Sequence, residues 1–209
     1  MAANTIRSKI LEGVLPPGAH INIAFLTKEL NISQTPIREA LKKLIPDGLV
    51  VYRPRIGYTV RVLSLHEYLQ VSEIHQALEI YLVSELANTP SILDYEALAR
   101  INDELEARAG AGDIVGVGLQ NDAFHRKLYE HYPNRLMLSR LIDLWDEVRA
   151  QRNLMYRSQA FLAKVAGEHR AIVEAIRGGS SATAADAMRA HYVSGREGAI
   201  MSFPANAPG

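Results

Sequence analysis

NISQTPIREALKKLIPDGLV, residues 31–50, places a proline near the start of what otherwise reads as a helix, beside an arginine and two lysines. Residues 24–30 upstream have the spacing of a short helix, and Asn31 suits its end because Asn tolerates the left-handed backbone that closes helices. Ser33 is a favourable N-cap, which puts Gln34, Thr35 and Pro36 in the next first turn. A missing N–H costs nothing there, because the first donors of a helix have no intrahelical partner. Ile37, Ala40, Leu41, Leu44 and Ile45 then recur as one apolar stripe, while Gln34, Thr35, Arg38, Lys42 and Lys43 fall on other faces. Pro46-Asp47-Gly48 stops the helix. Two short helices joined by a tight turn match a helix-turn-helix reader, with first-turn side chains toward base edges and cations flanking phosphates.

The segment that follows extends the pattern. Residues 49–52 are apolar and β-branched, residues 53–57 (RPRIG) are turn-like, and residues 58–62 alternate apolar with polar. This is a β-hairpin with Arg53 and Arg55 at its tip, the wing of a winged helix, from which both arginines would reach phosphates or the minor groove. Either arginine alone would read as an ordinary solvated side chain; the order helix, turn, helix and basic hairpin favours the wing.

Charge follows the same division. The 209-residue chain is neutral overall, with 23 basic and 23 acidic residues. Up to Leu65, however, nine basic residues face four acidic ones, a net +5, and the remainder carries −5. A basic third on an acidic body points to one part that meets a polyanion and another with a different task. The chain has no cysteine, so disulfides and thiolate metal sites are excluded and any ion must rest on His, Asp, Glu or amide oxygens. No apolar run approaches bilayer length and no secretory segment opens the sequence, so a cytoplasmic protein without membrane contact is expected.

Residues 26–64, LTKELNISQTPIREALKKLIPDGLVVYRPRIGYTVRVLS, resemble the winged-helix domain of GntR-type bacterial transcription regulators, and ILEGVLPPGAHIN before them is similar to that family's entry segment. The resemblance implies DNA contact at Thr35, Arg38 and the wing glycine Gly57. The family usually carries an arginine where this chain has Gln34. Gln pairs bidentately with adenine where Arg favours guanine, so the expectation is retained binding with altered base preference.

From Ser64 the chain is helical by pattern. Ser64-Leu65-His66-Glu67 is a capping box opening a helix to about residue 87. Further helices are expected at about 94–109, 113–131, from Asn134 to about 156, one ending at Gly178-Gly179, and one at about 183–199. The expected fold class is therefore mostly α: a winged helix-turn-helix over residues 1–65, an all-α bundle over 66–200, and a disordered tail over 201–209.

Histidines carry the chemistry of the bundle. His125 follows Asn121 by one helical turn, and His169 and His191 fall on later helices. By spacing alone they read as core or surface histidines. NDAFHRKLYEHYPNRLM, GEHRAIVEAIRGG and DAMRAHY resemble segments of the FCD domain, the helical effector domain of the FadR-like branch of GntR regulators. The resemblance implies a divalent ion at Asn121, His125, His169 and His191, with zinc first and nickel, manganese or iron as alternatives. It also implies a small effector, a carboxylate by preference. Two departures bear on this site: Asn121 replaces a frequent Asp and is a weaker ligand, and His75 stands ahead of Leu78-Glu79 where the family usually has an arginine. Arg149 and Arg152 would suit a carboxylate, but the favoured partners are Asp143, Asp146 or Glu147 on the same helix.

The function these features favour is a homodimeric, non-enzymatic regulator whose effector shifts its affinity for a palindromic operator on double-stranded DNA. A helical metalloenzyme with an appended DNA module is the alternative, weakened by the absence of H-E-x-x-H. A nonspecific architectural protein is disfavoured by the zero net charge.

Overall fold

The computed structural model describes residues 2–153 and 155–203. Helix α1 (Ala2–Leu11) packs on α3 (Gln34–Leu44), as does α2 (Ile23–Leu30). Asn31 closes α2 in the left-handed region, φ 52° and ψ 44°, as its short polar side chain allows. Pro36 sits inside the first turn of α3, but Ser33, although at the N-cap with extended backbone, makes no side-chain capping bond. Ile37, Ala40, Leu41 and Leu44 are buried; Ile45, expected on the same stripe, lies at the helix end with 38% of its surface exposed.

Strands β1 (Val50–Arg53) and β2 (Gly57–Val60) form the antiparallel hairpin, with Val50 opposite Val60 and Arg53 opposite Gly57. At the tip, the Ile56 N–H donates to the Arg53 carbonyl at 3.1 Å with Pro54 and Arg55 between them. Pro second and a positive φ third is the type II pattern. The third position, which favours glycine, holds Arg55 at φ 68°.

The helical body comprises α4 (Leu65–Leu86), α5 (Tyr95–Gly110), α6 (Ile114–Leu128), α7 (Arg135–Arg152), α8 (Gln159–Arg177) and α9 (Ser181–Ser202). Ser64 and Glu67 form the reciprocal capping box that starts α4. Helix α4 lies against α9 and α7, α5 against α6 and α8, and α8 against α9. Two corrections apply. The helix expected to run to residue 156 stops at Arg152, and Met155–Arg157 is a separate 3-10 turn. The tail expected to be disordered from Met201 instead continues α9 through Ser202, and buried Phe203 packs on Tyr68 with ring centroids 5.0 Å apart, an aromatic contact that anchors the end of the helix. Residues 204–209 of that expectation lie outside the described residues.

Two halves close their cores separately. One hydrophobic cluster runs from Ile6 to Val60, and those of the body begin at Leu63. Polar contacts cross the seam. Arg7 Nη1 donates to Asp146 Oδ2 at 2.8 Å, and Arg61 Nη1 donates to Glu147 Oε1 at 2.7 Å. Gln151 Nε2 donates to the Arg61 carbonyl at 3.2 Å. Gly48, at φ 72°, comes so close to Glu147 that a Cβ there would lie 2.9 Å from its side chain.

Candidate functional site

The side chains expected to meet DNA are exposed. Gln34, Thr35 and Arg38 are exposed in the first turns of α3, off its buried stripe. Arg53 and Arg55 are exposed on the wing, next to Gly57, whose φ of 98° suits glycine. Arg38, Arg53 and Arg55 form no ion pair among the described residues, so their guanidinium groups remain available to phosphate. Lys42, by contrast, is engaged by Glu39 at 2.8 Å.

A second site lies inside the body. Every fourth or third residue of α4 from Tyr68 onward faces inward, and this face carries His75 and Glu79. His125 on α6, His169 on α8 and His191 on α9 converge, with one ring nitrogen of each within 4.8 Å of the others. Asn121, one turn before His125, is buried and lines the same small cavity of about 60 Å³ with His75, Glu79, His125 and His191. His169 stands just behind, its ring centroid 5.3 Å from that of His125 and 5.2 Å from that of His191, stacked flat on Phe124 at 3.9 Å.

Each of the three histidines has an acceptor at Nδ1. His169 Nδ1 is 3.0 Å from Asn102 Oδ1, whose amide nitrogen donates to the Ala166 carbonyl at 2.9 Å and thereby fixes which end of the amide faces the ring. His191 Nδ1 is 2.9 Å from Glu168 Oε2. His125 Nδ1 is 3.0 Å from Glu79 Oε2, although off the line of a good hydrogen bond. An acceptor at Nδ1 holds the proton there and leaves the Nε2 lone pair for a ligand. The His169 Nε2 is fully buried with no partner. Burial, then the nearby His191 and His125, hold His169 well below the usual imidazole range, so it is neutral and able to ligate at pH 7.

Glu79 is the hub. Its buried carboxylate accepts from Trp145 Nε1 at 2.8 Å and the Tyr192 hydroxyl at 3.0 Å on one oxygen, and from the Tyr129 hydroxyl at 2.9 Å on the other. Burial opposes its charge, but His125, His75 and the Trp145 donor outweigh that and hold it at about 2. His75 is not a cation in this wall: burial lowers it to about 4 despite Glu79. The charge in the wall is Arg152 instead. Arg149 does reach Asp146 at 3.4 Å, the same-helix partner expected, but Arg149 and Arg152 both converge on Asp122 of α6, a buried carboxylate on a different helix. Burial opposes the Arg152 charge and Asp122 restores it.

Glu79, Asn102 and Asp122 were not singled out as site residues by sequence reasoning. Glu79 carried a faint signal, a carboxylate on the apolar face of α4; Asn102 carried none.

The arrangement is that of a winged-helix DNA-binding regulator with a helical sensing domain. Residues 1–60 match the bacterial regulatory proteins of the gntR family, and residues 70–194 match the FCD domain. The chain belongs to this family. It is 28% identical over 194 residues to the HTH-type transcriptional regulator YdhC of Bacillus subtilis, spanning 90% of this chain and 85% of that protein. It is 29% identical over 183 residues to the probable D-xylose utilization operon transcriptional repressor of Paenarthrobacter nicotinovorans, spanning 88% and 80%. The crystal structure of a GntR regulator from Rhodococcus sp. RHA1 superposes with a TM-score of 0.85 over 97% of each chain at 22% identity. The relatives are transcription regulators, and so is this chain; the metalloenzyme reading falls with that. No helix among the described residues is long and apolar enough to cross a membrane.

Proposed function

We propose that this regulator senses a small carboxylate at a divalent ion held in the body by Asn121, His125, His169 and His191, zinc foremost, and that binding shifts its affinity for operator DNA. The observation that carries this reading is the trio of inward-facing histidines, each with its Nδ1 at an outer acceptor and one, His169, with an orphaned buried Nε2. An ion about 2.1 Å from each nitrogen fits a triangle of this size after a small inward turn of the rings. When bound, the ion would supply a Lewis-acidic anchor for a carboxylate oxygen. The residues around it do the rest: Glu79, Asn102 and Glu168 orient the rings, and Arg152 contributes a buried cation to the wall.

Size bounds the effector. A cavity of about 60 Å³ holds roughly two waters, so a carboxylate head enters this form and a larger acid requires the helices to part. On the DNA side, Gln34, Thr35 and Arg38 would face base edges and Arg53, Arg55 and the Gly57 turn the backbone, with two copies of the chain reading a palindrome in the cytoplasm.

Metal content per subunit of tag-free protein prepared without chelators tests the reading, with His169→Ala alongside. Near one ion per wild-type subunit, lost in the variant, is the expected result. No uptake of zinc, nickel or manganese by the wild type would refute it. Light scattering of the same samples tests the homodimer.

A further inference from the structure

A line of alternating charges runs from the cavity wall to the recognition helix. Arg152 lines the cavity and pairs with Asp122. Asp122 is shared with Arg149, and Arg149 reaches Asp146 at 3.4 Å. Asp146 also accepts from Arg7 of α1 at 2.8 Å, across the seam. The other guanidinium nitrogen of Arg7 holds Asp47, in the turn that ends α3. Asp122, Asp146 and Arg149 are all buried, which screens these pairs little and makes each sensitive to its neighbour.

Resting on the reading of the cavity as an anion-sensing pocket, we infer that Arg152 reads the anion and that Asp122, Arg149 and Asp146 relay its occupancy to Arg7. Among the described residues the cluster is one negative charge short. Arg7, Arg126, Arg149 and Arg152 face Asp47, Asp122 and Asp146, and Asp122 serves two arginines at once. An anion in the cavity supplies the missing charge at Arg152 and competes with Asp122 for it. Asp122 then turns wholly to Arg149. Arg149 loosens its longer contact to Asp146, and Asp146 is left to Arg7. The seam tightens, and Arg7 carries the change to Asp47 and the end of α3. Asn121, the neighbour of Asp122 on α6, puts the ion site one residue from the relay. The direction is therefore specific: occupancy of the pocket holds the DNA-reading half more firmly against the body.

Hydrogen exchange of the α1 amides in ion-free, full-length protein tests this without knowledge of the effector or operator. Arg152→Gln frees Asp122 as an anion would, and α1 exchange should slow by about fivefold, the factor that corresponds to ~1 kcal/mol. Asp122→Asn releases Arg149 onto Asp146 and should speed α1 exchange. A merely destabilised protein would speed it in both variants. In an Asp146→Asn background, Arg152→Gln should leave α1 unchanged. If Arg152→Gln leaves α1 unaltered or accelerates it, or if its effect persists without the Asp146 carboxylate, the relay is overturned. Zinc uptake is measured on the wild-type samples. Absent uptake with the exchange pattern intact overturns the pocket reading alone; normal uptake with α1 unresponsive overturns the relay alone.

Discussion

Replacing Glu79 by Gln keeps the shape of the hub and removes its charge, which makes it a sharp probe of the body. The carboxylate accepts from Trp145, Tyr192 and Tyr129 and stands 3.0 Å from His125 Nδ1. Bonds to a charged group contribute ~1.5–3 kcal/mol each and neutral ones ~0.5–1.5. If the Gln oxygen keeps Trp145 and Tyr192, each of those bonds weakens by about 1 kcal/mol. The amide NH2 then faces Tyr129 and His125. Tyr129 can rotate to accept; His125 can accept at Nδ1 only by moving its proton to Nε2, the nitrogen an ion would need. Relief of the buried charge offsets part of the loss, leaving a net cost of about 2–4 kcal/mol. Trp145 is the only tryptophan of the chain and sits on Glu79, so its fluorescence in a urea titration reports this site directly. Zinc affinity, by calorimetry, should fall about 10- to 100-fold. Tyr129→Phe deletes one donor to the carboxylate without touching a ring tautomer; it should cost ~1.5–3 kcal/mol and leave zinc affinity intact. A Glu79→Gln protein within ~0.5 kcal/mol of wild type, or one that binds zinc normally, would refute the role assigned to Glu79.

Three further outcomes are expected. Arg55→Gly should stabilise the wing by about 1 kcal/mol by relieving a positive φ at a non-glycine residue, yet weaken operator binding and lower its salt slope by about 1; anisotropy titrations at several salt concentrations would expose a failure of either sign. His75 should make the body acid-labile: its folded value of about 4 lies below the ~6.5 of an unfolded histidine, so stability is complete above pH 6.5 and is lost as pH falls toward 4. The His75 share of the loss should reach about 2 kcal/mol at pH 5 in Trp145-monitored unfolding; His75→Gln should remove that share and leave the one due to His169, which burial also holds low. Gly195→Ala adds a Cβ that meets nothing within 4 Å on a helix lining the cavity, so it should stabilise α9 by up to ~1 kcal/mol while narrowing the pocket; an unchanged melting temperature would contradict it.

What was legible in the sequence is what short-range chemistry decides. Asn31 at its αL closure, Pro36 in a first turn and the Ser64–Glu67 box each depend on neighbours within four residues, and each stands in the structure as read. Ser33 shows the limit, since an N-cap position does not guarantee that the hydroxyl turns to it. The positive φ of Arg55 has no sequence signal, since the third position of such a turn favours glycine. The histidines come from three helices whose meeting is a matter of tertiary packing, so spacing alone left them as ordinary residues and only the resemblance grouped them. Arg149 and Arg152 were assigned same-helix partners because local carboxylates lie in reach; burial against α6 brought Asp122 closer. Glu79 drew its donors from α6, α7 and α9, which no local pattern announces.

The separate closure of the two cores has a consequence for lineage. A crossover at residues 61–63 would pass a reading half from one relative to another with neither hydrophobic cluster cut. Among the described residues, the facing set of Arg7, Gly48 and Arg61 on one side and Glu67, Asp146, Glu147 and Gln151 on the other would have to agree. A chain built this way can acquire a new operator or a new signal by exchange of whole halves, and the record of such exchanges would be written in those few seam residues, which should vary together while the cores drift independently.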